Sequence, residues 1–180
     1  MSENFEGKRI YIVLSQTGTL PSRAIRLATG AEFNHASISM DKELTRMYSF
    51  ARRHPYNPFW CGFVNECPTK GTFKRFPKTK AVVFEVDVTE ETYQSISDQI
   101  DRMMSEQNKY HYNYIGLVFA WMHVARKKKN CYYCSEFVGE MLVKNNVAGA
   151  ESLPEVVYPM NLAELQYPQI YKGRLLDYKA

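Results

Sequence analysis

The sequence predicts an α+β domain: the runs that read as strands cluster before residue 90, and the longer helical patterns follow it. At 180 residues, 45% hydrophobic and 14% aromatic, the chain has material for one core of ordinary size. No repeat, low-complexity stretch or linker interrupts it, so a single domain over residues 1–180 is expected.

Arg9-Ile-Tyr-Ile-Val-Leu14 is an almost unbroken β-branched and aromatic run, the pattern of a buried central strand, and it emerges at Ser15-Gln-Thr-Gly18. Pro21 suits the first turn of a helix running to about Thr29, and Gly30 its end. From His35 the period becomes two, with His35, Ser37 and Ser39 on one face and Ala36, Ile38 and Met40 on the other. Asp41-Lys-Glu43 reads as a hairpin loop, after which residues 44–50 return antiparallel. Residues 52–70 contain Pro55, Pro58 and Pro68 among Tyr56, Phe59, Trp60 and Phe63; they read as an irregular excursion, a lid or substrate wall.

Residues 72–76 and 81–88 read as two further strands, and Thr89 offers an N-cap to a helix with Tyr93, Ile96, Ile100 and Met103 at helical spacing. Residues 114–125 are apolar on all sides, which predicts a buried helix with His123 as a core histidine. A last helix begins near Cys134. Its apolar stripe of Phe137, Val138, Met141 and Leu142 places the thiol on the inward edge of the first turn.

Residues 1–8 are polar and acidic, unlike a secretory signal, and no later run reaches the roughly 18 apolar residues of a spanning helix. A cytoplasmic protein without stable membrane insertion is expected. Its four cysteines, Cys61, Cys67, Cys131 and Cys134, are then reduced thiols, available as nucleophiles or ligands. The net charge of +4 is mild. The basic run at residues 126–129 falls at the expected end of a helix, where the dipole favours cations, so no nucleic-acid partner is expected.

A cysteine attacks as its thiolate, and its pKa falls at a helix N-terminus, where unpaired N–H groups favour negative charge. Cys134 meets that condition. The same helix end can hold an oxyanion, which makes Tyr133 and Ser135 candidates for oxyanion or substrate binding. Of the four histidines, only His35 opens a strand, and the small Ser37 and Ser39 on its face allow close approach of a helix. With a three-residue hairpin loop Met40 pairs with Leu44 and His35 falls opposite Ser49, the candidate to orient the ring. Gln16 and Ser15, ending the first strand, suit a turn or a side-chain donor role, and Arg52 and Arg53 suit a substrate carboxylate or plain solvation.

The stretch Ser22-Arg-Ala-Ile-Arg-Leu-Ala-Thr-Gly-Ala-Glu-Phe-Asn-His35-Ala-Ser-Ile, together with Tyr133-Cys134-Ser-Glu-Phe-Val138, resembles the circularly permuted papain-like cysteine amidases. These are the YiiX-like relatives of the NlpC cell-wall peptidases and of lecithin retinol acyltransferase. Tyr112-Asn-Tyr-Ile-Gly116 and Pro159-Met-Asn-Leu162 extend the resemblance over most of the chain. It implies an antiparallel sheet packed against helices, with His35 preceding Cys134 because the usual order is permuted. It also implies Cys134 as nucleophile, His35 as base and Ser49 as third member, where relatives often have a carboxylate, an amide or a second histidine. A small peptide, amide or acyl substrate follows, by hydrolysis or by acyl transfer to a lipid or amine, with no metal and no organic cofactor.

Three other classes compete. Cys131-Tyr-Tyr-Cys134 at a helix start fits a thiol-disulfide pair, though such motifs normally follow the first strand of their fold. The four cysteines form a weak zinc pattern, with five residues between Cys61 and Cys67 where roughly two to four are usual. A non-catalytic binding module on the same scaffold is the third.

Overall fold

Strand β1 (Lys8–Gln16) is the spine of the molecule, paired antiparallel with β2 (His35–Ser39) on one edge and β5 (Lys80–Val88) on the other. The computed structural model describes residues 7–17, 31–54 and 56–180, and the helix expected over residues 21–29 lies outside them. With β3 (Met47–His54), β4 (Asn57–Glu66), β6 (His111–Tyr112), β7 (Cys131–Tyr132) and β8 (Gln169–Arg174), the strands form one open sheet of order β7-β6-β4-β3-β2-β1-β5-β8. Every neighbouring pair is antiparallel except β6 with β7. Five α-helices join them among the described residues: α1 (Gly71–Arg75), α2 (Glu90–Ser105), α3 (Tyr114–Trp121), α4 (Cys134–Lys144) and α5 (Pro159–Glu164). The fold class is α+β. No helix among the described residues is long and apolar enough to cross a membrane.

The sheet is covered on both faces, which is why β1 reads as a continuous apolar run rather than an alternating one. Ile10, Ile12 and Leu14 meet Ala36, Ile38, Phe50 and Phe63, roofed by Ile96 and Ile100 of α2 and by Phe137, Val138 and Leu142 of α4. Tyr11 and Val13 turn to the other face, where Leu44, Met47, Phe73, Ala81, Val83 and Leu175 form a smaller cluster. Thr89 caps α2 as its sequence predicts, accepting the Thr92 N–H at 3.1 Å.

Several expected elements differ. Residues 52–66 are not an irregular excursion: β3 and β4 form a long hairpin, with Pro58 beside a register shift and Pro68 beyond β4. Residues 72–75 are helical rather than extended, in a short helix whose first turn is closed by Lys74 N–H to Lys70 O at 3.2 Å and whose C-cap is Phe76. The turn after β2 is longer than three residues. Asp41 caps it, accepting Arg46 N–H at 2.8 Å, and Met40 pairs with Arg46 rather than Leu44.

Helix α3 is shorter than expected and is not buried: Tyr114, Ile115, Leu117 and Val118 are exposed. Apolar content alone does not specify what covers a helix. His123 is accordingly no core histidine; it is exposed in the turn after α3, within 3.2 Å of the Tyr158 hydroxyl. The basic run at 126–129 is exposed, but it belongs to the returning loop and not to a helical C-terminal turn.

Candidate active site

A gap in the sheet and a helix tip that fills it create the site. The ladder between β2 and β3 runs only through Ile38–Tyr48 and Ser39–Met47, so β2 is left without that partner toward its His35 end. Into that opening comes the tip of α4. The backbone N–H of Ala36, not taken by a strand there, is directed at the Cys134 sulfur together with the N–H of Ser135.

The α4 tip is held by its own sequence. Glu136, in its first turn, accepts the Tyr133 N–H at 3.2 Å and the Asn113 side-chain amide at 3.4 Å, while Asn113 also accepts the Gly116 N–H at 2.8 Å. One asparagine thus ties the starts of α3 and α4 together. Gly116 gives it room, since a Cβ there would stand 2.0 Å from the Asn113 nitrogen. Along α4, Gly139 lets the chain at Val157 approach, and a Cβ would meet a Val157 methyl at 2.9 Å.

His35 lies between a carboxylate and the thiol. Its Nε2 is 3.0 Å from Glu66 Oε2 and 3.4 Å from the Ser37 hydroxyl. That commitment leaves Nδ1 for Cys134, with which the ring is hydrogen-bonded. Ser37 and Ser49 each donate to the same Glu66 oxygen at 2.7 Å. The Phe73 ring covers the imidazole, ring centres 6.5 Å apart.

The electrostatics follow from this arrangement. Burial disfavours a charged His35, yet the Glu66 carboxylate and the Cys134 sulfur outweigh it and raise the imidazole pKa well above its ordinary value. Burial likewise disfavours the thiolate, but the His35 ring and the two backbone N–H groups hold the Cys134 pKa below the usual thiol value. Glu66 is kept below the usual carboxylate value in the same way: burial acts against it, and His35, Ser49 and Ser37 win. All three shifts favour thiolate, imidazolium and carboxylate in a row.

Sequence reasoning pairs the first two of these residues and misses the third. Ser49 is on the expected face, but it does not orient the ring directly; its hydroxyl serves Glu66. The longer turn moves the register by two residues, which preserves the face and carries Ser49 to the level of Ser37 instead of His35. Glu66 stands opposite Met47 on that face, and it does so through the register shift between Arg52 and His54, which a plain count back from the hairpin tip misses.

The other candidates sort by location. The Ser135 hydroxyl is buried and donates to Val157 O at 2.8 Å, so what Ser135 offers the site is its N–H. Tyr133 is buried, and burial pushes its phenol pKa up. Gln16 is buried on the same side of β1 as Leu14, the side on which α4 packs, whereas Ser15 pairs across from His35. Arg52 lies 5.7 Å from the centre of the Phe76 ring, and its charge reaches Cys61. All four cysteines are free thiols, and among the described residues no group of three or more His, Cys, Asp or Glu is placed to hold a metal ion. The chain matches no protein-family model, no curated protein and no solved structure in the comparisons made.

Proposed function

We propose that this chain is a cysteine hydrolase of the amidase or peptidase type, on a circularly permuted papain-like fold, with Cys134 as nucleophile and His35 as base. The observation that supports it above all others is a single half-buried imidazole held by Glu66 on one nitrogen and hydrogen-bonded to a helix-tip cysteine, with both titrations shifted toward the thiolate–imidazolium pair. The permuted order is supported by the histidine strand preceding the cysteine helix, and by that helix packing on an antiparallel sheet.

In this reading the Cys134 thiolate adds to the carbonyl carbon of a small peptide, amide or acyl substrate, and the carbonyl electron pair moves to oxygen. The Gln16 side chain, on the α4 side of β1, is the proposed donor to that oxyanion. As the tetrahedral intermediate collapses, the bond to the leaving group breaks and imidazolium gives it a proton, leaving an acyl thioester on Cys134. His35 then takes a proton from water, the resulting hydroxide attacks the thioester, and the thiolate departs with the free acid formed. Glu66 stays ionised throughout and is a positioning residue, since it acts through His35. Arg52 is the proposed partner of a substrate carboxylate.

The test is labelling with acyl-electrophile probes at neutral pH, followed by mass measurement of the adduct. Wild type and Cys131→Ser are expected to gain one acyl group, and Cys134→Ala none. Labelling lost in Cys131→Ser but retained in Cys134→Ala would overturn the assignment.

A further inference from the structure

Beyond this chemistry, we infer that the tip of the β3–β4 hairpin and the outer side of α3 form one face that docks on an anionic lipid bilayer. Phe59 is 84% exposed, Trp60 57% and Ile115 61%, and Tyr56, Val118 and Met122 are also exposed. Large aromatic and branched side chains open to solvent at such levels, and contiguous, mark an interaction surface. They are contiguous because the Tyr114 hydroxyl donates to Phe59 O at 2.7 Å, fastening the hairpin to the first turn of α3.

Charge selects the partner. Residues 44–65 and 107–135, which carry the apolar side chains of the face, contain no Asp or Glu. They do contain a basic edge. After α3 the chain folds back so that Arg126 O accepts from Asn113 at 3.2 Å and the Arg126 guanidinium covers Phe119 at 4.7 Å, which brings the exposed Lys127, Lys128 and Lys129 to that side. At the other end the Arg75 guanidinium lies 3.8 Å from the centre of the Tyr56 ring. Aromatic side chains at headgroup depth, with cations at the phosphates, are the composition that an anionic membrane surface takes up. A second copy of the chain would bring two like-charged rims together, which disfavours self-association through this face.

The test is co-sedimentation of the full chain with sucrose-loaded vesicles of phosphatidylcholine, with and without about 30% phosphatidylglycerol. Wild type is expected to pellet with the anionic vesicles, to bind the neutral ones at least about tenfold more weakly, and to be released by salt. Phe59→Ser combined with Ile115→Ser is expected to lower partitioning at least about tenfold with an unchanged thermal melt. Lys128→Glu with Lys129→Glu alters only exposed charges, and is expected to abolish the preference for anionic vesicles even if the first variant misfolds. Wild type remaining in the supernatant, or binding both vesicle types as its variants do, overturns the inference. So does a wild-type dimer in sedimentation velocity that Phe59→Ser dissociates, which would assign the face to a second copy.

Discussion

The inward row of Glu66, His35, Ser37 and Ser49 and the exposed face of Phe59, Trp60 and Ile115 are opposites. One is polar where the molecule is largely closed to solvent; the other is apolar where it is wet. Each contradicts the ordinary partition of side chains, and each does so as a connected group rather than as single residues. The inward group is satisfied internally, because one carboxylate oxygen collects two hydroxyl donors and an imidazole. The exposed group has no comparable internal solution. In the reading proposed above, the closed polar exception serves chemistry inside the molecule and the open apolar exception serves contact outside it.

The largest effect expected is on the inward side. His35→Ala removes the ring that depresses the thiol pKa and leaves burial to raise it, so alkylation of Cys134 near neutral pH slows by about a hundredfold or more. An iodoacetamide rate profile from pH 5 to 10 checks this, and an unchanged rate breaks the pairing.

Glu66→Gln is next, at about tenfold to a hundredfold in probe acylation. Its signature is directional. Without the carboxylate the His35 pKa falls and the Cys134 pKa rises, so the pH window of activity narrows from both limbs. Stability gives a second readout. The contribution from Glu66 is present above its unfolded value of 4.5 and lost as pH falls through its lower folded value. That from His35 is fully present below its unfolded value of 6.5 and lost as pH rises through its higher folded value. The difference in Tm between wild type and Glu66→Gln is therefore expected to peak between those two values.

Ser49→Ala should be milder, about 1 kcal/mol of stability and a few-fold in rate. Because Ser49 acts through Glu66, the expected result of a double-mutant cycle is that Ser49→Ala adds little to Glu66→Gln. Full additivity would mean that Ser49 serves the site by another route. Smallest of all is the stability effect of Phe59→Ser, expected within about 0.5 kcal/mol by chemical denaturation. Phe50→Ala, the same chemistry on the buried face, should cost about 3–5 kcal/mol in that assay.

The legible parts of the molecule were those where local pattern and global role agree. Residues 9–14 look central and are central, Thr89 looks like a cap and is one, and Cys134 opens a helix. Glu66 was not legible, because Pro58 and Pro68 on either side of it suppress the strand signal that would have given it a face. The exposure of α3 was not legible either, since an apolar helix has the same sequence whether a core or an outside surface receives it. The Ser49 case lies between the two: a side-chain period of two makes its face robust to a longer turn, while its partner depends on the register.

If the proposed chemistry holds, the opening beside the first residues of β2 also governs when in folding the pair of His35 and Cys134 forms. Its strand is made early in translation, but the helix tip that fills the gap comes almost a hundred residues later in the chain. A nascent polypeptide released from the ribosome only as far as β5 holds His35 without Cys134, so the proposed pair is assembled near the end of folding, through contacts distant in sequence. Such an order would keep the proposed nucleophile away from the half-made chain.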